Sequence, residues 1–274
     1  PRDTTFVRKG VGRSSAPQLV CANVDVVLAV TTCGRDFNPR RLERYVAAIY
    51  GGGDTPVIVL NKTDLVDDIA GRVEAARDAA AGVAVVAMSA LRDADLTPLA
   101  PYLAPGTTLA LLGSSGVGKS TLVNRLLGEA AMATGDVRGG DEKGRHTTTQ
   151  RVLHRAPGDV VVIDTPGMRE LGLWRADEGL ADTFPDVEAA AASCRFRDCR
   201  HDGEPGCGVA AAIEAGELDA DRAASHRQLE RELAREAIRD DARLARAREA
   251  EWKAVTRGMR TRRKLNRKLG LKDF

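Results

Sequence analysis

Apolar residues along this chain gather in short continuous runs rather than in strict alternation. Asp25-Val-Val-Leu-Ala-Val30, Val57-Ile-Val-Leu60, Val83-Ala-Val-Val-Ala-Met88, Thr108-Leu-Ala-Leu-Leu112 and Val160-Val-Val-Ile163 are mostly β-branched and short, the signature of strands buried on both faces. Between them Arg40–Tyr50, Asp67–Ala80 and Leu96–Leu103 carry helical spacing. Strands alternating with helices predict an α/β domain with a mostly parallel sheet and helices on both faces. Residues 1–20 show no sustained period and read as a linker. Near Phe184 the strand-like runs stop. After Cys207 the chain is rich in Ala, Glu and Arg, with apolar positions at Leu229, Leu233, Ala237, Leu244 and Trp252. This part is predicted helical, with Glu232/Arg235, Glu236/Arg239 and Asp240/Arg243 lacing a solvated face. The expected segments are therefore 1–20, an α/β domain over 21–183, and a small helical domain over 184–274.

Composition narrows the class. At a rough ~150 residues per domain, 274 residues suit one large domain with a smaller companion. With 43% hydrophobic and 29% charged residues the chain is neither disordered nor a disulfide scaffold. No apolar run nears the ~18 residues of a membrane-spanning helix, and Pro1-Arg2-Asp3-Thr4 begins no signal peptide. A cytoplasmic monomer without membrane contact is expected. Pro1 in place of Met hints that a longer chain was cut. The total charge of +2 hides an asymmetry: residues 251–274 hold nine cations against two anions, a local +7 that leaves −5 for the rest.

The chemistry begins with Gly113-Ser114-Ser115-Gly116-Val117-Gly118-Lys119-Ser120, placed after the run 108–112 and before the helical Thr121–Leu127. This is a phosphate loop in its proper strand-to-helix context. Its backbone N–H groups and helix N-terminus would cradle phosphates, Lys119 would reach the β/γ oxygens, and Ser120 would ligate Mg²⁺. Asp164-Thr-Pro-Gly167 at the end of the run 160–163 places an acid near Mg²⁺ and Gly167 near a γ-phosphate. In the polar loop Gly144-Arg-His-Thr-Thr-Thr149, one threonine, Thr148 before Thr147, would complete the Mg²⁺ shell; the alternative is a capped loop before a strand at 150–154. Asn61-Lys62-Thr63-Asp64 follows the run ending at Leu60. An aspartate there accepts the N1–H and N2 amino hydrogens of guanine, which adenine does not offer. Lys62 would lie along the base, Asn61 would tie the base loop to the phosphate loop, and Ser89-Ala90 would form a second base-contacting loop. In ordinary GTPases the phosphate loop comes first and these base-reading elements last. Here the order is reversed, as circular permutation produces.

Cys194-Arg-Phe-Arg-Asp-Cys199-Arg-His201-Asp-Gly-Glu-Pro-Gly-Cys207 supplies four soft or borderline ligands within 14 residues. A closed tetrahedral structural Zn²⁺ site is expected, with free thiols as the plain alternative. Cys21, Cys33, His154 and His226 read as structural.

The permuted order, Gly-Arg-His-Thr-Thr-Thr, Asp-Thr-Pro-Gly-Met and the Cys/Cys/His/Cys group together resemble the bacterial small-ribosomal-subunit-dependent GTPases, RsgA, also YjeQ or YloQ, from about Val20 to the C-terminus. The resemblance implies late maturation of the 30S subunit: the GTP form binds the immature subunit and its rRNA, hydrolysis to GDP is stimulated there, and the GDP form leaves. Met168 stands where many GTPases place a water-orienting Gln, so intrinsic turnover should be slow. The resemblance implies His146 as the substitute, unless it only shapes its loop. The family begins with an OB-fold barrel that touches rRNA. The two dozen residues before the first strand are too few for five strands, so Arg2–Gln18 would be a remnant of its last strand and linker. The +7 tail suits phosphate contacts. The competing readings are a zinc-containing RNA-binding module, or a large-subunit factor, in which GTP is mainly a structural ligand.

Overall fold

The computed structural model describes residues 1–9, 17–80, 82–93, 96–128, 152–165, 173, 176–239, 241–242, 246 and 252. His146, Thr147, Thr148, Gly167 and Met168 lie outside these, as does all of the basic tail but Trp252. The chain divides into two compact units, Pro1–Leu233 and Ala234–Phe274.

The larger unit is built on a six-stranded sheet. Its strands are β3 (Val26–Thr32), β4 (Thr55–Asn61), β5 (Ala84–Ala87), β6 (Thr108–Leu112), β7 (Val152–Ala156) and β8 (Val160–Asp164), in the spatial order β5-β4-β3-β6-β8-β7. All neighbours are parallel except β7, which closes one edge antiparallel to β8. Side-chain alternation sorts each apolar strand between two cores. Val27, Ala29, Ile58, Leu60, Ala110 and Leu112 face one side, where α1 (Pro39–Tyr50) and α2 (Ile69–Ala79) pack. Leu28, Val30, Val57, Val59, Leu109 and Leu111 face the other, against Leu122, Val123 and Leu126 of α3 (Lys119–Leu127). Burial on both faces is why these strands read as unbroken apolar runs.

Local chemistry sets the helix starts. Asn38 caps α1, its side chain accepting from the N–H groups of Arg40 at 2.9 Å and Arg41 at 3.3 Å, with Pro39 at the first position. The expected helix over 96–103 is instead a 3-10 run at Thr97–Tyr102. Pro98 and Pro101 lack the N–H groups that an α-helical ladder needs there.

Residues 1–20 hold more structure than their pattern suggested. β1 (Thr5–Lys9) pairs antiparallel with β2 (Pro17–Ala22), and Phe6, Val20 and Cys21 join the first core. The pattern is weak because this two-stranded ribbon buries only a few residues. Beyond the sheet come α4 (Asp177–Thr183), α5 (Pro185–Ala191), α6 (Gly208–Glu214) and α7 (residues 220–233). Phe184, Val187, Val209, Leu229 and Leu233 are buried in the same core as α1. In the second unit the described residues 234–239, 241–242, 246 and 252 are helical, and Arg239 pairs with Glu236 at 2.8 Å.

Candidate nucleotide site and metal loop

The carboxyl ends of β4, β5, β6 and β8 converge at one edge of the sheet, so the motifs that follow them meet although they lie far apart in sequence. Asn61 is the join. Its Nδ2 donates to the Val117 carbonyl at 2.8 Å while its Oδ1 accepts the Ala90 N–H at 2.9 Å, and the side chain is buried. Lys62, held in the left-handed region at φ 63°, donates from Nζ to the Gly116 carbonyl at 2.7 Å. Two bonds thus link the Asn61–Asp64 loop to the phosphate loop. Thr63 donates its N–H to the Met88 carbonyl at 3.4 Å, which seats this loop on the end of β5. Asp64 is exposed at the rim, and its Oδ1 accepts the Ser89 hydroxyl at 2.6 Å. Ser89 is itself oriented, because Asp93 accepts its N–H at 2.7 Å. One carboxylate oxygen of Asp64 is therefore fixed and the group faces solvent, as a reader of a purine edge requires.

The phosphate loop fits an anion. A Cβ on Gly113 would lie 2.3 Å from the Val30 carbonyl oxygen, and one on Gly118, at φ 98°, would lie 2.2 Å from Asn61 Nδ2. Only glycine permits these approaches. Lys119 is buried and donates to the Gly113 and Ser114 carbonyls, each at 2.8 Å. Burial pulls its pKa down to about 8, against the opposing effect of the Asp164 charge. Burial disfavours the ammonium, so an anion in this cradle would stabilise it. Ser120 and Thr121 open α3, half-buried, and Asp164 is buried at the end of β8. Thr165 next to it donates to the Leu111 carbonyl, which ties β8 back to β6. The effect of the Asp164 charge on Lys119 places the acid at the end of β8 near the phosphate loop.

α1 matches the helix expected over 40–50, but its contact with the phosphate loop had no signal in the sequence. Arg41 Nη1 donates to Ser114 Oγ at 3.2 Å, and the buried Tyr45 hydroxyl lies 3.3 Å from the same atom. The opposite flank of α1 meets the C-terminal helices. Glu43 is fully buried, accepts from Arg40 and Ser225, and lies 3.4 Å from Arg222. Burial pushes the Glu43 carboxyl up, against its hydrogen bond from Ser225 and the charges of Arg40 and Arg222. Arg222 also grips Asp186 at 2.6 and 2.8 Å, donates to the Ala79 and Thr183 carbonyls, and covers the Phe184 ring at 4.6 Å. Arg44 holds Glu232 at 2.7 and 2.8 Å. Glu232, expected to pair along its own helix, is drawn away because α7 packs on α1. Nothing periodic marks such residues in a single sequence.

The Cys-rich loop closes on itself. Ligand atoms of Cys194, Cys199, His201 and Cys207 all lie within 4.8 Å of one another, with His201 Nδ1 3.5 Å from both Cys194 Sγ and Cys207 Sγ. Bonds of ~2.0–2.3 Å to a tetrahedral ion put ligands ~3.3–3.8 Å apart, so the group fits one metal ion. The Gly208 N–H donates to Cys194 Sγ at 3.2 Å and the Ala210 N–H to Cys207 Sγ at 3.4 Å, contacts that favour thiolates. Cys21 and Cys33 are buried, and His226 is buried edge-on to Phe184 at 5.2 Å.

With this geometry in hand, comparison with known proteins is informative. The family model described as RsgA GTPase matches residues 1–174. An ABC transporter model matches residues 96–270, a stretch that includes the phosphate loop, which many nucleotide-binding classes share, and excludes Asn61–Asp64. The small ribosomal subunit biogenesis GTPase RsgA of Opitutus terrae is 50% identical over 266 residues, 97% of this chain and 72% of that protein. Its namesake from Methanosarcina acetivorans is 44% identical over 268 residues, 98% of this chain and 73% of that protein. The crystal structure of YjeQ from Thermotoga maritima shares the fold at TM-score 0.57 and 24% identity, covering 85% of this chain and 76% of that one. A structure of YloQ, described as a circularly permuted GTPase, superposes at TM-score 0.56 and 24% identity, covering 85% and 81%. Among described residues no helix is long and apolar enough to cross a membrane. The loop Asn61–Asp64 precedes the phosphate loop in the chain yet touches it in space, the RsgA GTPase model matches residues 1–174, and relatives of one name match 97% and 98% of this chain: the chain belongs to the RsgA GTPase family.

Proposed function

We propose that this chain is a GTP hydrolase acting in late assembly of the small ribosomal subunit, bound to the subunit with GTP and released with GDP. The observation that carries the reading is Asn61 bridging Val117 and Ala90, which joins a guanine reader to a phosphate cradle. Asp64 would accept the purine's N1–H and N2 amino hydrogens, Lys62 would cover its face, and Ser89 and Ala90 would bound the pocket. The backbone of Gly113, Ser114, Ser115, Gly116, Val117 and Gly118 would wrap the phosphates, with Lys119 on the β/γ oxygens. Ser120 and Thr148 would hold Mg²⁺, with Asp164 behind a water and Gly167 at the γ-phosphate; when bound, the ion neutralises charge on the transferred phosphoryl group. His146 would orient the attacking water, since Met168 has no group to do so. Cys194, Cys199, His201 and Cys207 would hold one structural Zn²⁺, in keeping with three thiolates and an imidazole.

Residues 1–20, 21–183 and 184–274 would serve as lead-in, switch and subunit-facing module of a cytoplasmic monomer. Turnover of GTP, measured alone and with purified small or large subunits, should rise only with small subunits. Equal stimulation by large subunits, or ATP bound as tightly as GTP in calorimetry, overturns the reading.

A further inference from the structure

The turn that follows β5 is tied down by two residues that lie outside every nucleotide motif. It begins at Ser89, whose hydroxyl donates to Asp64 Oδ1 at 2.6 Å. That proton is steered from behind: the Arg92 N–H donates to the same Ser89 Oγ at 3.1 Å, which engages a lone pair and leaves the hydroxyl hydrogen for the carboxylate. The Ser89 carbonyl accepts the N–H groups of Arg92 at 3.2 Å and Asp93 at 2.9 Å, and Asp93 Oδ2 reaches back to accept the Ser89 N–H at 2.7 Å. The Asp93 side chain therefore closes the turn on itself. Arg125 fastens it from outside. This residue stands in the last turn of α3, the helix that Lys119 opens, and its Nη2 donates to the Asp93 carbonyl at 2.6 Å. One line of contacts thus runs from the phosphate-loop helix through Arg125, Asp93 and Ser89 to Asp64. Arg125 and Asp93 are half-buried along it, and Ser89 is buried.

We propose that Asp93 and Arg125 are positioning residues for the purine base: they hold Ser89 where its hydroxyl fixes one oxygen of Asp64, and so set how sharply Asp64 tells guanine from other purines. This role rests on the reading of Asp64 as the guanine acceptor and deepens it. A carboxylate takes the N1–H and the N2 amino hydrogens together only when both of its oxygens face the base edge. Asp64 is exposed, and the last torsion of an aspartate is broad, so the side chain alone would not hold that orientation. The bond from Ser89 removes the freedom, and it lasts only while the turn keeps its shape. Asp93 acts through Ser89, and Arg125 acts through Asp93.

The test is competition between GDP and inosine diphosphate for the full chain with its metal bound, read by displacement of a fluorescent guanine nucleotide. Inosine lacks the N2 amino group. The unaltered chain should hold GDP about thirtyfold tighter, the scale of one hydrogen bond to a charged acceptor. Asp93→Ala should shrink that ratio to about fivefold, the scale of a bond to a poorly held acceptor, and Asp93→Asn, whose amide oxygen still accepts the Ser89 N–H, should restore it. Arg125→Met should lower the ratio by only about twofold, since the turn keeps its own carboxylate. In an Asp64→Ala background, Asp93→Ala should leave the ratio where it was, as residues acting through one group do. An undiminished ratio in Asp93→Ala, equal loss of both nucleotides at constant ratio, or no recovery in Asp93→Asn overturns the proposal, because a turn that only supports the fold would not sense the N2 group. If the unaltered chain itself fails to separate GDP from inosine diphosphate, the guanine reading of Asp64 falls and takes this role with it.

Discussion

The nucleotide edge of the sheet and the Cys-rich loop are both polar sites built from loops, but they are held by opposite means. The loops carrying Asn61 and Lys119 hang from β4 and β6, whose side chains are almost wholly buried, and Asn61 bonds the loop of Ser89 and Ala90 to them, so these backbones are set before any ligand arrives. Residues 194–207 have little apolar anchorage; Cys207 is buried, while Cys194 and Cys199 are only partly so. Their shape depends on converging ligand atoms. The difference teaches that removing a ligand group from the first site should cost function with the fold intact, whereas removing one from the second should cost local structure.

The strongest way to break this contrast is metal removal. Structural zinc in small domains contributes on the order of 10 kcal/mol to folding, so a strong chelator, or Cys199→Ser, should release hydrogen-exchange protection across 194–207. Guanine nucleotide affinity should change by less than about threefold, since the sheet needs no metal to position its loops. Protection that survives chelation would mean that packing alone holds the loop.

Arg222→Met should come next, because it strands the buried Glu43 carboxylate. Breaking one side of a buried ion pair typically costs about 3–5 kcal/mol, readable as a lower denaturation midpoint. Adding Glu43→Met should recover much of that loss. Failure to recover would show that the Asp186 and carbonyl contacts of Arg222 matter more than Glu43 does.

Lys119→Ala should reduce GTP and GDP affinity about a hundredfold, in the range for a truncated buried charge partner, with thermal stability kept or raised. The kept fold separates this reading from one in which GTP is only a structural ligand. The pKa of Lys119 sharpens it further. Held near 8 in the folded chain against 10.5 for a free lysine, this group binds fewer protons folded than unfolded between those values. Stability of the nucleotide-free protein should therefore rise with pH across that window. A phosphate in the cradle favours the charged form, so nucleotide affinity should fall above about pH 8, with proton uptake on binding that calorimetry in buffers of different ionisation enthalpy detects. In Lys119→Met both effects should vanish.

Tyr45→Phe is expected to act least. It removes one hydroxyl 3.3 Å from Ser114 Oγ, worth about 0.5–1.5 kcal/mol, and Arg41 keeps a grip on the same atom. The loss should appear in nucleotide affinity more than in stability, because Ser114 lends its carbonyl to Lys119.

Much of this protein can be read from its residues in order. Runs such as Val57–Leu60 declare strands because a sheet covered on both faces leaves no polar alternation, and Gly113–Ser120 declares a phosphate loop because backbone approach to phosphate demands glycine at set positions. The Cys and His spacing implies one ligand cluster by density alone. Less legible was the 3-10 run at Thr97–Tyr102, where two prolines overrode an apolar period, and the β1–β2 ribbon, whose few buried residues leave hardly any pattern.

Local chemistry, then, determined the elements, the nucleotide and metal motifs and their permuted order, since each rests on neighbours within a few residues. Tertiary packing alone decided that Asn61 would reach Val117 across 56 positions, that Glu232 would leave its own helix for Arg44, and that Arg222 would gather α1, α2, α4 and α5 around one guanidinium. Such contacts join side chains whose separation in sequence carries no period. They exist only because a twisted sheet and the helices packed on it bring those chain segments to the same few ångströms.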